Sequence, residues 1–196
     1  MRCRPAHRPP RPPDWSRAFG RRLALEVDLG CGRGHYALAR ARSAPDSGVV
    51  AIDTRDKWIR EIRQRARLEE LANLRALRCD AKVDLPLLFG PATVSGFTVL
   101  HPDPWWKKRH RKRRLIQPEL VSLLAALLLP GGWIFIQSDV PDLTRQMARA
   151  FDAEPALAAH DPEAILHGHL GGLQSHRARR CAELGIPIQR LAYRRP

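Results

Sequence analysis

The chain has 196 residues, a length expected of one domain whose core needs no staples, and 44% of them are hydrophobic. Its 34 Lys plus Arg against 20 Asp plus Glu give a formal charge of +14, which points to a polyanionic partner, nucleic acid before anionic membrane. Four cysteines, Cys3, Cys31, Cys79 and Cys181, are scattered without C-x-x-C spacing, so neither a disulfide framework nor a metal site is expected. With no signal-peptide core and no uncharged apolar run of membrane-spanning length, the expectation is a cytoplasmic protein with no membrane partner.

Residues 1–22 carry five Pro and seven Arg and read as an extended tail, either disordered or a basic arm touching nucleic acid, ahead of a domain over 23–196. Beyond it, short β-type runs alternate with helix-like stretches. "LALEVDL" (23–29), "GVVAID" (48–53), "LRALRCD" (74–80), "VSGFTVL" (94–100) and "WIFIQSD" (133–139) are strands. "HYALARARSA" (35–44) is a helix, and "KWIREIRQRARLEELA" places Trp58, Ile62 and Ala66 on one apolar face. "PELVSLLAALLLPGG" reads as a helix from Pro118 ended by Gly131 and Gly132, and "PDLTRQMARAF" as another. Such alternation predicts an α/β fold with a parallel sheet covered on both faces, its ligands at the carboxyl ends of the strands.

Acids stand at those ends. Asp28 precedes "GCGRG", whose Gly30, Gly32 and Gly34 allow a sharp turn into the next helix and a close approach of backbone to ligand. A dinucleotide fingerprint needs a further glycine where His35 stands, and a carboxylate beside the loop repels a pyrophosphate but attracts an ammonium. Asp53 suits a pair of ribose hydroxyls, or else opens the following helix; Asp80 suits an adenine amine, or is a loop acid. Together they describe a site for a cationic adenosine cofactor. After the fourth strand comes "HPDPWWKKRHRKRR" (101–114), in which Asp103 is the single acid among seven cations.

That stretch resembles the F-P-D-P-W-P-K-K-R-H-x-K-R-R motif of the tRNA (guanine-N7)-methyltransferases, within the class I, Rossmann-like, S-adenosylmethionine-dependent fold, and the order of motifs extends the likeness over roughly 23–195. The resemblance implies a mostly parallel seven-stranded sheet with helices on both faces, S-adenosylmethionine as cofactor and tRNA as substrate, methylated at N7 of the variable-loop guanine, position 46. By it Asp28, Asp53, Asp80 and Asp103 are cofactor positions, joined by Gly30, Gly32 and Gly34. Asp103 is also the catalytic acid, while Lys107, Asp139 and Ser175 contact the substrate and Arg109, His110, Arg111, Lys112, Arg113 and Arg114 bind RNA. Trp105 and Trp106 suit base stacking or packing.

The chain departs from the pattern at five places, one of them the conservative Ser175 for Thr. His101 and Trp106 replace Phe and Pro, and in the C-terminal T-x-[YF]-E-x-R motif Arg177 replaces the aromatic and Ala178 the acid, with Glu183 a possible substitute for the latter. An impaired, RNA-binding relative, or a methyltransferase of another RNA, is therefore the alternative; a nicotinamide oxidoreductase is disfavoured by His35. His160, His167, His169 and His176 show no firm ligand spacing. Nothing in the sequence separates a monomer from a homodimer.

Overall fold

A computed structural model describes residues 12–196. The basic arm over 1–11, with Cys3, lies outside the described residues. The expected tail ends earlier than residue 22, because a helix, α1 (Trp15–Phe19), already belongs to the folded body. Asp14 caps it by accepting from the Arg17 N–H at 3.1 Å, and Gly20 ends it at φ 75°. Trp15 and Phe19, one helical turn apart, supply the reason for docking. The Trp15 ring stacks on Phe89 at 5.4 Å while its Nε1–H donates to the Leu88 carbonyl at 2.8 Å, and Phe19 is buried.

Strand and helix then alternate through β1 (Ala24–Leu29), α2 (His35–Ser43), β2 (Ser47–Asp53), α3 (Asp56–Leu68), β3 (Leu74–Arg78), α4 (Ala81–Leu88), β4 (Val94–Leu100), α5 (Pro118–Leu127), β5 (Leu128–Ser138) and α6 (Pro141–Asp152). The chain ends in β6 (Ala158–His160), α7 (Pro162–Gly168), α8 (His176–Glu183) and β7 (Gln189–Arg194). They form one seven-stranded sheet of order β3-β2-β1-β4-β5-β7-β6. β1 to β5 run parallel, and β7 is antiparallel to both β5 and β6. The strand order turns around between β1 and β4, the point where an open α/β sheet leaves a crevice at its carboxyl edge.

Both faces are covered, as expected. Val27, Ile52, Val99 and Ile136 of the strands pack with Leu85, Leu124 and Phe151 of α4, α5 and α6 on one side. On the other, Val49 and Ala51 meet Leu38, Ile59 and Ile62 of α2 and α3, while Trp133 and Phe135 meet Ile165 and Leu166 of α7. α2 carries a charge in its buried face. The Arg40 guanidinium donates from Nε and Nη2 to the two oxygens of Glu26 in β1, each at 2.7 Å, and both side chains are about nine-tenths buried. A fork-to-fork pair of this kind fixes the register of a helix on a strand.

One element differs from its sequence reading. The helix expected to reach Gly132 stops at Leu127, and "LLPGG" opens β5. Leu128 turns extended (φ −65°, ψ 141°) and pairs with Val94. Helix-end carbonyls need donors when they are not exposed to water. Here the Arg195 guanidinium donates to the carbonyls of Ala125, Ala126 and Leu128 at 3.4, 3.5 and 2.6 Å, a contact from the far end of the chain that no local pattern encodes.

Candidate active site

Parallel strands bring their sequence ends to one edge, so acids separated by whole βα units become neighbours. Asp28 is the fifth residue of β1, Asp53 closes β2, Asp80 caps α4 just past β3, Asp103 follows β4, and Asp139 follows β5. Around them the "GCGRG" loop leaves β1. Gly34 stands at φ 71° as the N-cap of α2, and a Cβ there would meet Ile62 of α3 at 2.4 Å. At Gly30 (φ 76°) a Cβ would meet nothing within 4 Å, so the left-handed turn itself is what excludes other residues, and the space above that backbone is open. Gly32, with φ 53°, lies between them.

Of the four acids expected at the cofactor, the three that end or follow β1, β2 and β3 differ in environment. Asp28 is buried, 3% exposed, with one oxygen accepting from the Thr98 hydroxyl at 3.1 Å. Burial pushes its carboxyl up to about 7; the Thr98 bond opposes the shift and the Asp53 charge adds to it. A cation placed beside it would reverse that cost. The neighbouring Cys31 thiol is pushed far up by burial and by both carboxylates, which leaves it no nucleophile. Asp53 accepts from the Gly32 N–H at 3.0 Å and from the Arg55 N–H at 2.9 Å, one per oxygen, tying the end of β2 to the glycine loop and leaving a lone pair on each oxygen. Its alternative as the cap of α3 falls away, since Arg55 occupies that position. Asp80 does cap α4, accepting from the Lys82 N–H at 3.0 Å through Oδ1, and among the described residues its Oδ2 accepts no hydrogen bond. A donor set of a buried carboxylate, a hydroxyl-accepting carboxylate and an open glycine turn fits a cationic adenosine group.

The loop after β4 is rigid by unusual means. His101 (φ 51°) and Trp105 (φ 44°) are left-handed without being glycine, at a cost of about 1–3 kcal/mol each that the surrounding contacts must offset. The Arg114 guanidinium donates to the Pro104 carbonyl at 2.7 Å and to Gln146 of α6, Arg113 sits over the Trp105 ring at 5.2 Å, and His110 meets that ring edge-on at 5.8 Å. Trp105 is thus a packing anchor, whereas Trp106 is exposed. Lys107, Lys108, Arg109, Arg111, Lys112 and Arg113 face solvent along a 3-10 helix, Lys108–Arg113. Arg114 is the correction to the expected RNA-binding tract. Only 5% exposed, it pins the loop and presents no guanidinium to a phosphate. Asp103, held between Pro102 and Pro104, is exposed, and among the described residues it is in no salt bridge with the cations that follow it.

Asp139 has partners that residue patterns alone did not give. Its Oδ1 accepts from His101 Nδ1 at 2.9 Å, and its Oδ2 from Arg177 Nε at 3.2 Å and Nη2 at 2.5 Å. Burial by itself would raise this carboxyl, but the Arg177 and His101 bonds outweigh it and hold it down at about 2. Ser175 caps α8 by accepting from the Ala178 N–H at 3.0 Å and is buried. Ala178 is buried too, and Glu183 pairs with Arg180 on the exposed side of α8, so it does not stand in for the missing acid. The signal for this cluster was present in the sequence as two departures, His101 and Arg177. Among the described residues no three His, Cys, Asp or Glu side chains converge as metal ligands.

A family profile described as "Putative methyltransferase" matches residues 23–190. The tRNA (guanine-N(7)-)-methyltransferase of Synechococcus sp. (strain JA-2-3B'a(2-13)) is 37% identical over 187 residues, covering 93% of this chain and 76% of that protein. The one from Myxococcus xanthus is 33% identical over 193 residues, covering 94% and 90%. This chain belongs to the tRNA (guanine-N7)-methyltransferase family. Solved structures place the family's fold among the class I, Rossmann-like methyltransferases. The 16S rRNA methyltransferase KamB superposes with a TM-score of 0.62 at 20% identity over 93% of both chains. TrmN from Thermus thermophilus gives 0.62 at 21% identity over 91% of this chain and 46% of its own.

Proposed function

We infer that this protein transfers the methyl group of S-adenosylmethionine to N7 of a guanine in tRNA, the variable-loop guanine at position 46 being the proposed site. What supports the reading most is the row of acids along one sheet edge, Asp28, Asp53, Asp80, Asp103 and Asp139, around an open glycine turn. When bound, the cofactor supplies an electrophilic methyl on a cationic sulfonium. Asp28 would meet its ammonium, Asp53 would accept from its ribose hydroxyls and Asp80 from its adenine amine, each through acceptor capacity left by the bonds described above.

Guanine N7 carries an in-plane lone pair and no proton, so no general base is needed. Holding the acceptor in line is the larger part of the task, on the order of 7–11 kcal/mol of barrier when two reactants are fixed together. Asp103, presented by two prolines, offsets the positive charge that appears on the purine as the methyl arrives. Lys107, Arg109, Arg111, Lys112 and Arg113 bind backbone phosphates beside it, with His110 packed among them. Asp139 contacts the base, and Ser175 orders the α8 end that faces it. No helix among the described residues is long and apolar enough to cross a membrane.

A second reading, a methyltransferase fold that binds tRNA and transfers nothing, rests on Ala178 alone. One experiment separates them: unmodified tRNA is incubated with methyl-labelled cofactor and the product digested to nucleosides. The expected outcome is 7-methylguanosine from the variable loop. Tight tRNA binding without label transfer sinks the reading, and label in another nucleoside redirects it.

A further inference from the structure

Two positions at which the chain departs from the family pattern are remote in sequence and meet on one carboxylate. His101 lies past β4 and Arg177 in the first turn of α8, yet each binds a different oxygen of Asp139. A carboxylate only accepts, so His101 Nδ1 carries the hydrogen, and burial lowers the affinity of the imidazole for a second proton even though Asp139 favours the cation. His101 also accepts a left-handed backbone to reach this position, and its Nε2 is buried without a partner among the described residues. Arg177 is oddly placed in its own right, because a cation at a helix N-terminus opposes the helix dipole. Both features are strains that pure packing does not require.

We propose that His101, Asp139 and Arg177 form the guanine-reading element of this enzyme, with Asp139 as acceptor, Arg177 as donor and His101 as the residue that fixes Asp139. The inference rests on the tRNA guanine-N7 reading and deepens it. Arg177 commits Nε and Nη2 to Oδ2, which leaves the Nη1 donors of a half-exposed guanidinium free, while Oδ1 retains an acceptor site beside the His101 bond. One donor next to one acceptor matches O6 and N1–H of guanine and mismatches adenine, which presents the reverse order on the same edge. Neither contact touches N7. Ala178, whose buried methyl offers the base nothing, leaves Asp139 as the acceptor of the element.

The test uses the full chain and tRNA in which the target guanine is kept, replaced by inosine, which keeps O6 and N1–H, or replaced by 2-aminopurine, which lacks both. Wild type should methylate the guanine and inosine acceptors comparably and the 2-aminopurine acceptor roughly 10- to 100-fold less well in kcat/KM. Arg177→Ala and Asp139→Asn should each lower kcat/KM on guanine by ~10-fold or more and shrink the guanine to 2-aminopurine ratio, at unchanged cofactor affinity, whatever stability the lost ion pair costs. His101→Ala should do the same in the wild-type background but add nothing to Asp139→Asn, and His101→Asn, which keeps an N–H near the Nδ1 position, should recover most of the loss. An undiminished ratio in Arg177→Ala overturns the proposal, as does an equal loss on all three acceptors with a shallower salt dependence, which would make Arg177 a phosphate contact. Absence of transfer to guanine by wild type overturns the underlying reading and the inference with it.

Discussion

Asp28 pairs a stability cost with a binding role. Its carboxyl, ordinarily near 3.8, is pushed up to about 7 by burial, so the folded, unliganded protein holds a proton there that the unfolded chain has lost. Stability contributed by that proton is present at low pH and declines as pH rises through 7. An ammonium ligand selects the ionised form, so cofactor affinity should run the opposite way, about tenfold weaker at pH 6 than at pH 8, with proton release on binding. Calorimetry in buffers of different ionisation enthalpy reads both quantities; a flat affinity across that window would remove Asp28 from the ammonium site. Asp28→Asn should weaken cofactor binding while raising stability at pH 8 by on the order of 2–4 kcal/mol. Asp103 has the opposite surroundings, exposed and held by two prolines. Asp103→Ala should lower kcat about 100-fold at saturating cofactor, the scale of losing one charge-stabilising group. Turnover equal to wild type would assign the acid another task.

Helix α2 carries the glycine loop at its start, so whatever fixes α2 fixes the cofactor turn. Besides Leu38 and Ala41, the Glu26–Arg40 pair does this, with Ser47 donating a third bond to Glu26 at 2.8 Å. Removing one partner strands a buried charge, so Arg40→Ala should cost about 3–5 kcal/mol in denaturant unfolding. Replacing both residues with apolar ones of similar volume should cost far less, and equal losses from the two variants would mean that packing dominates this contact. The loop after β4 follows the same logic through Arg114, which joins Pro104 to α6. "RKRR" therefore holds two kinds of arginine that look alike in sequence.

At the scale of the whole molecule, the charge of +14 acts through its distribution. Six cations from Lys107 to Arg113 face solvent beside the acids, while Arg114 is turned inward. Binding of tRNA should weaken steeply with salt, log K falling with log salt by about 0.7–0.9 for each phosphate contacted. Replacing Lys108, Arg109 and Lys112 by Ala should reduce that slope by about 2–3, whereas Arg114→Ala should leave the slope alone and lower activity through the loop. Filter binding at a series of salt concentrations distinguishes the two. A slope unchanged by the triple variant would place the phosphate surface elsewhere.

The parallel alternation, the strand-end acids, the glycine turn and the "PDPW" loop were legible in the sequence because each depends on local periodicity or on residues close together in the chain. Those features were enough to imply the fold and the family. Trp15 was hidden because its partners, Leu88 and Phe89, lie at the end of the distant helix α4, and the end of α5 because its carbonyls are met by Arg195. The burial of Arg114 and the convergence of His101 and Arg177 on Asp139 likewise belong to tertiary structure. A side chain's charge is written in the sequence, but whether it faces water, a carbonyl or a carboxylate is decided only when remote segments close around it.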